Sequence, residues 1–301
     1  MARITIQPKN EQEWLTLRLN DITSTKSPAL FGISPYLTKF ELWHRIKNNL
    51  VVDFKENKRM KWGIKLEASI AECIAEEKGW EVRPFKEYIR LEEEKIGSSF
   101  DFRILDNDKG DGILEIKNVD GLVYRDNWID GEPPLHIEMQ VQHQLLVSGL
   151  KYAYIGVLVG GNDEKLIYRE RDEIVINRIL EESAKFWKSI KNNEPPDPNF
   201  NSDAVFLKEL YQHAEPGTVY DARGDERINE IVSKYKEASQ KEKEAKSIKE
   251  SCKSELLTII GDNEKAAGDD FTISAGVVAE AEISYIRKPY RTFKINFRRK
   301  K

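Results

Sequence analysis

The hydrophobic period changes partway along the chain, and that change limits the available folds. Across residues 60–79 the apolar positions recur at helical spacing, with Ile70, Ala71, Ile74 and Ala75 on one face and Gly79 as a stop. Immediately afterwards the period drops to two, and residues 80–83, 86–91 and 98–105 are predicted as strands. The turn-rich run Asp106-Asn107-Asp108-Lys109-Gly110-Asp111-Gly112 then leads into a strand over 113–118, so the last two strands form a hairpin. A long amphipathic helix feeding paired strands places the chain in the α/β class.

The flanking segments extend this scheme. Short helices are predicted over 11–20, 27–31 and 40–46, the second broken by Gly32-Ile33-Ser34-Pro35. Residues 136–150 form a helix with Ile137, Val141 and Leu145 in line, followed by an apolar strand at 152–159, its neighbour at 166–171 and an amphipathic helix at 173–191. The proline-rich run ending at Pro198 closes a first domain, 1–198. A linker (199–226) leads to a C-terminal region (227–301) dominated by Lys, Glu, Ala and Ser, with apolar residues near 3-4 spacing and a gap at Glu242. That region is expected to be a long helix or helical hairpin, then short strands within 271–297 and a basic tail.

Composition narrows the function classes. No apolar run approaches the ~18 residues of a membrane span, and the start, Met1-Ala2-Arg3-Ile4-Thr5, lacks a secretory pattern. Cys73 and Cys252 form no CxxC pair, which points away from a disulfide scaffold and towards the cytoplasm. The formal charge of -4 gives no global attraction to nucleic acid, so DNA binding must rest on local clusters such as Lys55, Lys58, Arg59, Lys61 and Lys65, or the basic C-terminus. For either cluster alone, solvated surface charge is the simpler account. Four histidines without an HxH or HExxH spacing argue against zinc.

The chemistry-bearing residues centre on the hairpin. Asp101 ends one strand and Glu115-Ile116-Lys117 sits on the next, so Glu115 and Lys117 share a face while Ile116 points into the core. Two carboxylates in one cleft repel each other unless a divalent cation lies between them, and hard oxygen ligands suit Mg²⁺ or Mn²⁺. A lysine beside them can orient or deprotonate an attacking water. The same pattern also fits a plain surface ion pair. Glu67 lies on the apolar stripe of the 60–79 helix, one turn after Gly63, where a carboxylate must be paired, metal-bound or rotated into solvent. Gln140-Val141-Gln142-His143-Gln144 puts polar groups opposite the apolar face, as a groove lining or a wetted surface. Near the N-terminus, Arg18 and the hydroxyls of Thr23, Ser24 and Thr25 precede a helix, an arrangement that serves capping or phosphate binding.

These pieces, in order, carry a resemblance. Trp14…Arg18…Ile22-Thr23-Ser24-Thr25, Ser34-Pro35-Tyr36…Glu41-Leu42-Trp43, Gly63…Glu67, Ser99-Phe100-Asp101, Leu114-Glu115-Ile116-Lys117 and the glutamine run from Gln140 resemble the YqaJ-like viral recombinase family, to which phage lambda exonuclease belongs, over roughly residues 10–195. The resemblance implies a PD-(D/E)XK, RecB-type core: a mixed sheet flanked by helices. It implies a nuclease that digests one strand of linear duplex DNA 5′→3′ with two Mg²⁺ ions. In that scheme Asp101, Glu115 and the Ile116 carbonyl hold metal, Glu67 serves the second metal, Lys117 activates water and Gln140 is an accessory group. Arg18 and Thr25, with Ser24, would hold a 5′-phosphate. Relatives form trimeric rings and work beside a single-strand annealing recombinase. The chain departs from the family at Thr23-Ser24-Thr25-Lys26, where many relatives carry Gly-Gly-Ser-Asp, and at Phe102, where Gly is common. A structure-specific endonuclease on the same core and a non-catalytic DNA-binding or assembly module are the competing readings.

Overall fold

The computed structural model describes residues 2–50, 58–106, 109–286 and 290–295. Lys55, Asn107, Asp108, Arg287, Lys288 and residues 298–301, which entered the turn and basic-cluster readings, lie outside that set. Two compact units divide the chain, residues 1–210 and 211–301.

In chain order the first unit contains β1 (Arg3–Ile6), α1 (Glu11–Asn20), β2 (Ile22–Thr23), α2 (Ser27–Leu30), α3 (Lys39–Lys47) and α4 (Lys58–Lys78). Then come β3 (Glu81–Pro84), β4 (Tyr88–Leu91), β5 (Ile96–Ser98), β6 (Phe102–Leu105), β7 (Gly112–Val119) and α5 (Gly121–Asn127). It ends with α6 (Leu135–Ser148), β8 (Tyr152–Val159), β9 (Asp163–Glu170), α7 (Glu173–Asn192) and α8 (Ala204–Leu210). Phe206 of α8, within the stretch 199–226, is buried and meets the Phe40 ring edge-on at 6.1 Å.

A five-stranded mixed sheet of order β3-β6-β7-β8-β9 forms the centre, with β7 and β8 parallel and the other pairs antiparallel. Alternation along β7 sends Leu114 and Ile116 to one face, where Ile70, Ala71 and Ile74 of α4 cover them. Gly156 on β8 allows this close approach, since a Cβ there would lie 2.4 Å from Ile74 Cδ1. Ile113, Ala153, Ile155 and Val157 pack on the opposite face against Ile137, Val141 and Leu145 of α6 and Ile176 and Ile179 of α7. The expected sheet between helices is therefore present, with α4 and α6 on opposite sides.

A second sheet of order β1-β4-β5-β2 was not anticipated, because β1 pairs with β4 across more than eighty residues of sequence. Its presence corrects the reading of 98–105 as one strand. β5 belongs to this sheet and β6 to the central one, so the chain crosses between sheets at Ser99, Phe100 and Asp101. Asp101 accordingly precedes β6 instead of ending a strand.

The second unit contains α9 (Glu226–Ile260) and an antiparallel pair, β10 (Lys265–Ala267) and β11 (Thr272–Ser274). α9 is one unbroken helix, not a hairpin, as expected of a segment with no Gly or Pro from 226 to 260. Its N-terminus is capped by Asp225, which accepts from the Ile228 N–H at 2.9 Å. No helix among the described residues is long and apolar enough to cross a membrane. Both cysteines are free.

Candidate active site

The hairpin register, Phe102 opposite Leu114, brings Asp101 beside Glu115. Asp101 Oδ2 accepts the Ile116 backbone N–H at 2.8 Å, which fixes the carboxylate against β7. Glu115 is only 2% exposed, and burying a carboxylate costs several kcal/mol unless donors replace its water. Three donors do so. Lys117 Nζ and Gln140 Nε2 both reach Oε1 at 2.5 Å, and Gln144 Nε2 reaches Oε2 at 2.7 Å. Charge-assisted bonds of this kind contribute about 1.5–3 kcal/mol each, enough together to offset the desolvation.

The electrostatics bind Glu67 into the same group. Burial raises its pKa, the Glu115 charge raises it further, and Lys117 opposes the rise. Asp101 is pushed well above the ordinary carboxylate range, first by burial, then by Glu115 and more weakly by Glu67, while Lys117 and the Ile116 N–H oppose. For Lys117, burial works against the charge, but Glu115, Asp101 and Glu67 outweigh it and its pKa rises. Thus Asp101, Glu115, Lys117, Gln140 and Glu67 form one interacting cluster. Among the described residues, no three His, Cys, Asp or Glu side chains close into a metal-holding group. Both Glu115 oxygens face nitrogen donors. The Ile116 side chain lies in the core and its N–H holds Asp101.

Next to this cluster is a second polar group. The Arg18 guanidinium lies over the Trp14 ring, 4.5 Å from its centroid, and donates to Thr25 Oγ1 at 3.1 Å and to Ser99 Oγ at 3.5 Å. Trp14 Nε1 also donates to Ser99 Oγ, at 2.8 Å. Burial lowers the Arg18 pKa. Beneath it, Lys26 Nζ donates to the Arg18 and Asp21 carbonyls, and burial brings its pKa down to about 8. Ser24 departs from the expected set: its side chain is buried and accepts from Ser98 Oγ at 3.1 Å, so it does not join Arg18 and Thr25.

Gln144 links the two groups, since its Nε2 also approaches the Ser99 carbonyl at 3.4 Å. Ser99 and Gln144 entered the sequence reading only as members of runs, with no role of their own, although Ser99 lies two residues before Asp101 and Gln144 one turn beyond Gln140. The reading of 140–144 as a wetted face is also overturned, because Gln142, His143 and Gln144 are all buried. His143 Nε2 meets the Gly97 carbonyl at 3.2 Å, and burial lowers its pKa to about 4.

The family model described as the YqaJ-like viral recombinase domain matches residues 13–151, a span that contains every one of these side chains. Over those residues the chain is similar to the YqaJ-like viral recombinase family. An uncharacterised Bacillus subtilis member, YqaJ, is 28% identical over 266 residues, covering 84% of this chain and 82% of its own. The solved structure of an alkaline exonuclease from Laribacter hongkongensis, LHK-Exo, superposes with a TM-score of 0.52 at 18% identity, covering 65% of this chain and 99% of that one. At that identity the likeness concerns the fold, which is the PD-(D/E)XK type of mixed sheet flanked by helices.

Proposed function

We propose that the chain is a Mg²⁺-dependent nuclease that degrades one strand of linear duplex DNA from its 5′ end. The observation that carries this reading is the convergence of Asp101, Glu115 and Glu67 with Lys117 and Gln140 at the junction of the two sheets. Burial and mutual repulsion drive Asp101 and Glu67 towards protonation, and a small divalent cation relieves that repulsion. The donors are hard carboxylate oxygens, which fit Mg²⁺ or Mn²⁺. Asp101, Glu115 and the Ile116 carbonyl would hold one ion, and Glu67 would serve a second. When bound, such ions supply polarisation of the scissile phosphodiester and of the attacking water. Lys117 then orients that water and offsets charge on the phosphate, while Gln140 and Gln144 keep the Glu115 carboxylate fixed.

Direction follows from the neighbouring group. Arg18, Thr25 and Ser99 offer a guanidinium and hydroxyls suited to a terminal phosphate. Holding a 5′-phosphate there determines which bond lies at the carboxylates. The test is digestion of linear duplex with and without a 5′-phosphate in Mg²⁺, for the wild type, Glu115→Ala and Lys117→Ala. Either substitution is expected to slow nucleotide release by at least about a hundred-fold, and EDTA should abolish it. Equal rates on phosphorylated and dephosphorylated ends remove the phosphate pocket, and no cation-dependent release from the wild type removes the nuclease reading.

A further inference from the structure

His136, Gln140 and Gln144 are spaced four residues apart on α6, so they lie along one face of the helix. The two glutamines hold Glu115. His136 therefore continues the same face one turn towards the N-terminus of α6. Burial, and behind it the positive charge of Lys117, lower its pKa, so the ring lies within electrostatic reach of Lys117. Tyr36, from the loop between α2 and α3, meets this ring edge-on, with centroids 6.0 Å apart and planes at 87°.

Tyr36 is 85% exposed, yet its backbone is fixed. Ser34 Oγ accepts from the Tyr36 and Leu37 N–H groups at 3.3 and 3.2 Å, Pro35 restricts the turn, and Leu37 packs against the cluster around Trp43. An open aromatic ring on a rigid turn at the mouth of a nuclease site is the feature that stacking on a nucleobase requires. Resting on the nuclease reading above, we infer that Tyr36, braced by His136, stacks on the base of the terminal nucleotide at a DNA end. The contact is to the π-face, so it tolerates any base and aligns the nucleotide without taking part in proton transfer.

The test compares wild type, Tyr36→Phe and Tyr36→Ala, using duplex with 2-aminopurine as the 5′-terminal base. Binding is followed by fluorescence without added metal, and digestion is followed separately with Mg²⁺. Wild type and Tyr36→Phe should quench the terminal 2-aminopurine on binding, and Tyr36→Ala should not. In digestion, Tyr36→Ala should raise KM by between about five-fold and about a hundred-fold, with kcat changed far less. Equal quenching by Tyr36→Ala and wild type overturns the inference whatever the digestion assay shows. Loss of digestion in every form, with quenching still dependent on Tyr36, supports the stacking contact and overturns the nuclease reading instead. Because Tyr36 is exposed, thermal unfolding of the three proteins should coincide, which separates lost stacking from lost fold.

Discussion

Helices α6 and α9 invert the usual relation between polarity and burial. α6 buries Gln142, His143 and Gln144, whereas α9 leaves Ile231, Leu256 and Ile259 exposed. The difference is one of partners. Each buried polar side chain of α6 finds an acceptor or donor on a distant segment: Gln142 with the Glu170 carbonyl and the Asp172 N–H, His143 with the Gly97 carbonyl, Gln144 with Glu115. Those bonds offset desolvation and hold the helix in one orientation. α9 has helical propensity and an apolar stripe, but within its own unit the stripe has little to cover. A helix that positions chemistry is thus marked by buried polar side chains tied to distant segments more than by amphipathicity.

The comparison breaks first at the apolar side of α6. Leu145 is fully buried between α6 and the central sheet. Leu145→Ala should destabilise the first unit by about 2–5 kcal/mol, as a cavity in a packed core does. Urea unfolding measures this, and a loss under about 1 kcal/mol means that α6 is not seated on the sheet. Gln144→Leu is the polar counterpart. Similar in size but without a donor, leucine leaves Glu115 Oε2 buried and unpaired, at an expected cost of about 1–3 kcal/mol. Stability unchanged by this substitution would show that Glu115 is solvated.

His143 tests the same face by pH. Its Nδ1 is buried without a hydrogen-bond partner, so a proton added there meets no acceptor. The folded pKa of about 4 lies below the unfolded value, near 6.5. Between these values the unfolded chain binds a proton that the folded one refuses, so stability falls as pH drops from about 6.5 to about 4. The slope is at most one proton, about 1.4 kcal/mol per pH unit. The raised carboxylates Asp21, Glu67, Asp101, Glu138 and Glu164 act in the opposite sense, but they are common to wild type and His143→Gln. The difference between these two proteins, measured as urea midpoints at pH 7 and pH 5, isolates the histidine. Equal shifts would mean that His143 reaches solvent.

The contrast also explains what could be read in advance. Helix α4, the β6–β7 hairpin and the Glu115-Ile116-Lys117 alternation follow from local periodicity and turn residues, so each was visible in the sequence. β1 was not, because four residues gain strand character only from a partner more than eighty positions away. Nor was the interruption of residues 98–105, since sheet membership is a tertiary property; it carries Ser99 and Asp101 into the site. The burial of α6's polar face was hidden for the same reason. Gly97, Ser99, Glu115 and Glu170, which satisfy it, come from separate strands or from the link between them.

The smallest expected effect lies on α9, where Ile231 and Ile259 are more than half exposed. Serine at either position removes little buried area, so each should change stability by no more than about 0.5 kcal/mol, as typical surface substitutions do. Both lie on the 3-4 stripe that continues through Tyr235 and Leu256, so the result also reports on whether that stripe is covered in solution. Hydrogen exchange of α9 amides in wild type and Ile231→Ser, at two protein concentrations, reads this directly. Protection that is unchanged by the substitution and independent of concentration means that the helix stands on its own hydrogen bonds and caps. Protection that falls with Ile231→Ser and recovers at higher concentration means that another chain covers the stripe. In that case α9, like α6, is ordered by what it packs against, and the contrast between the two helices disappears.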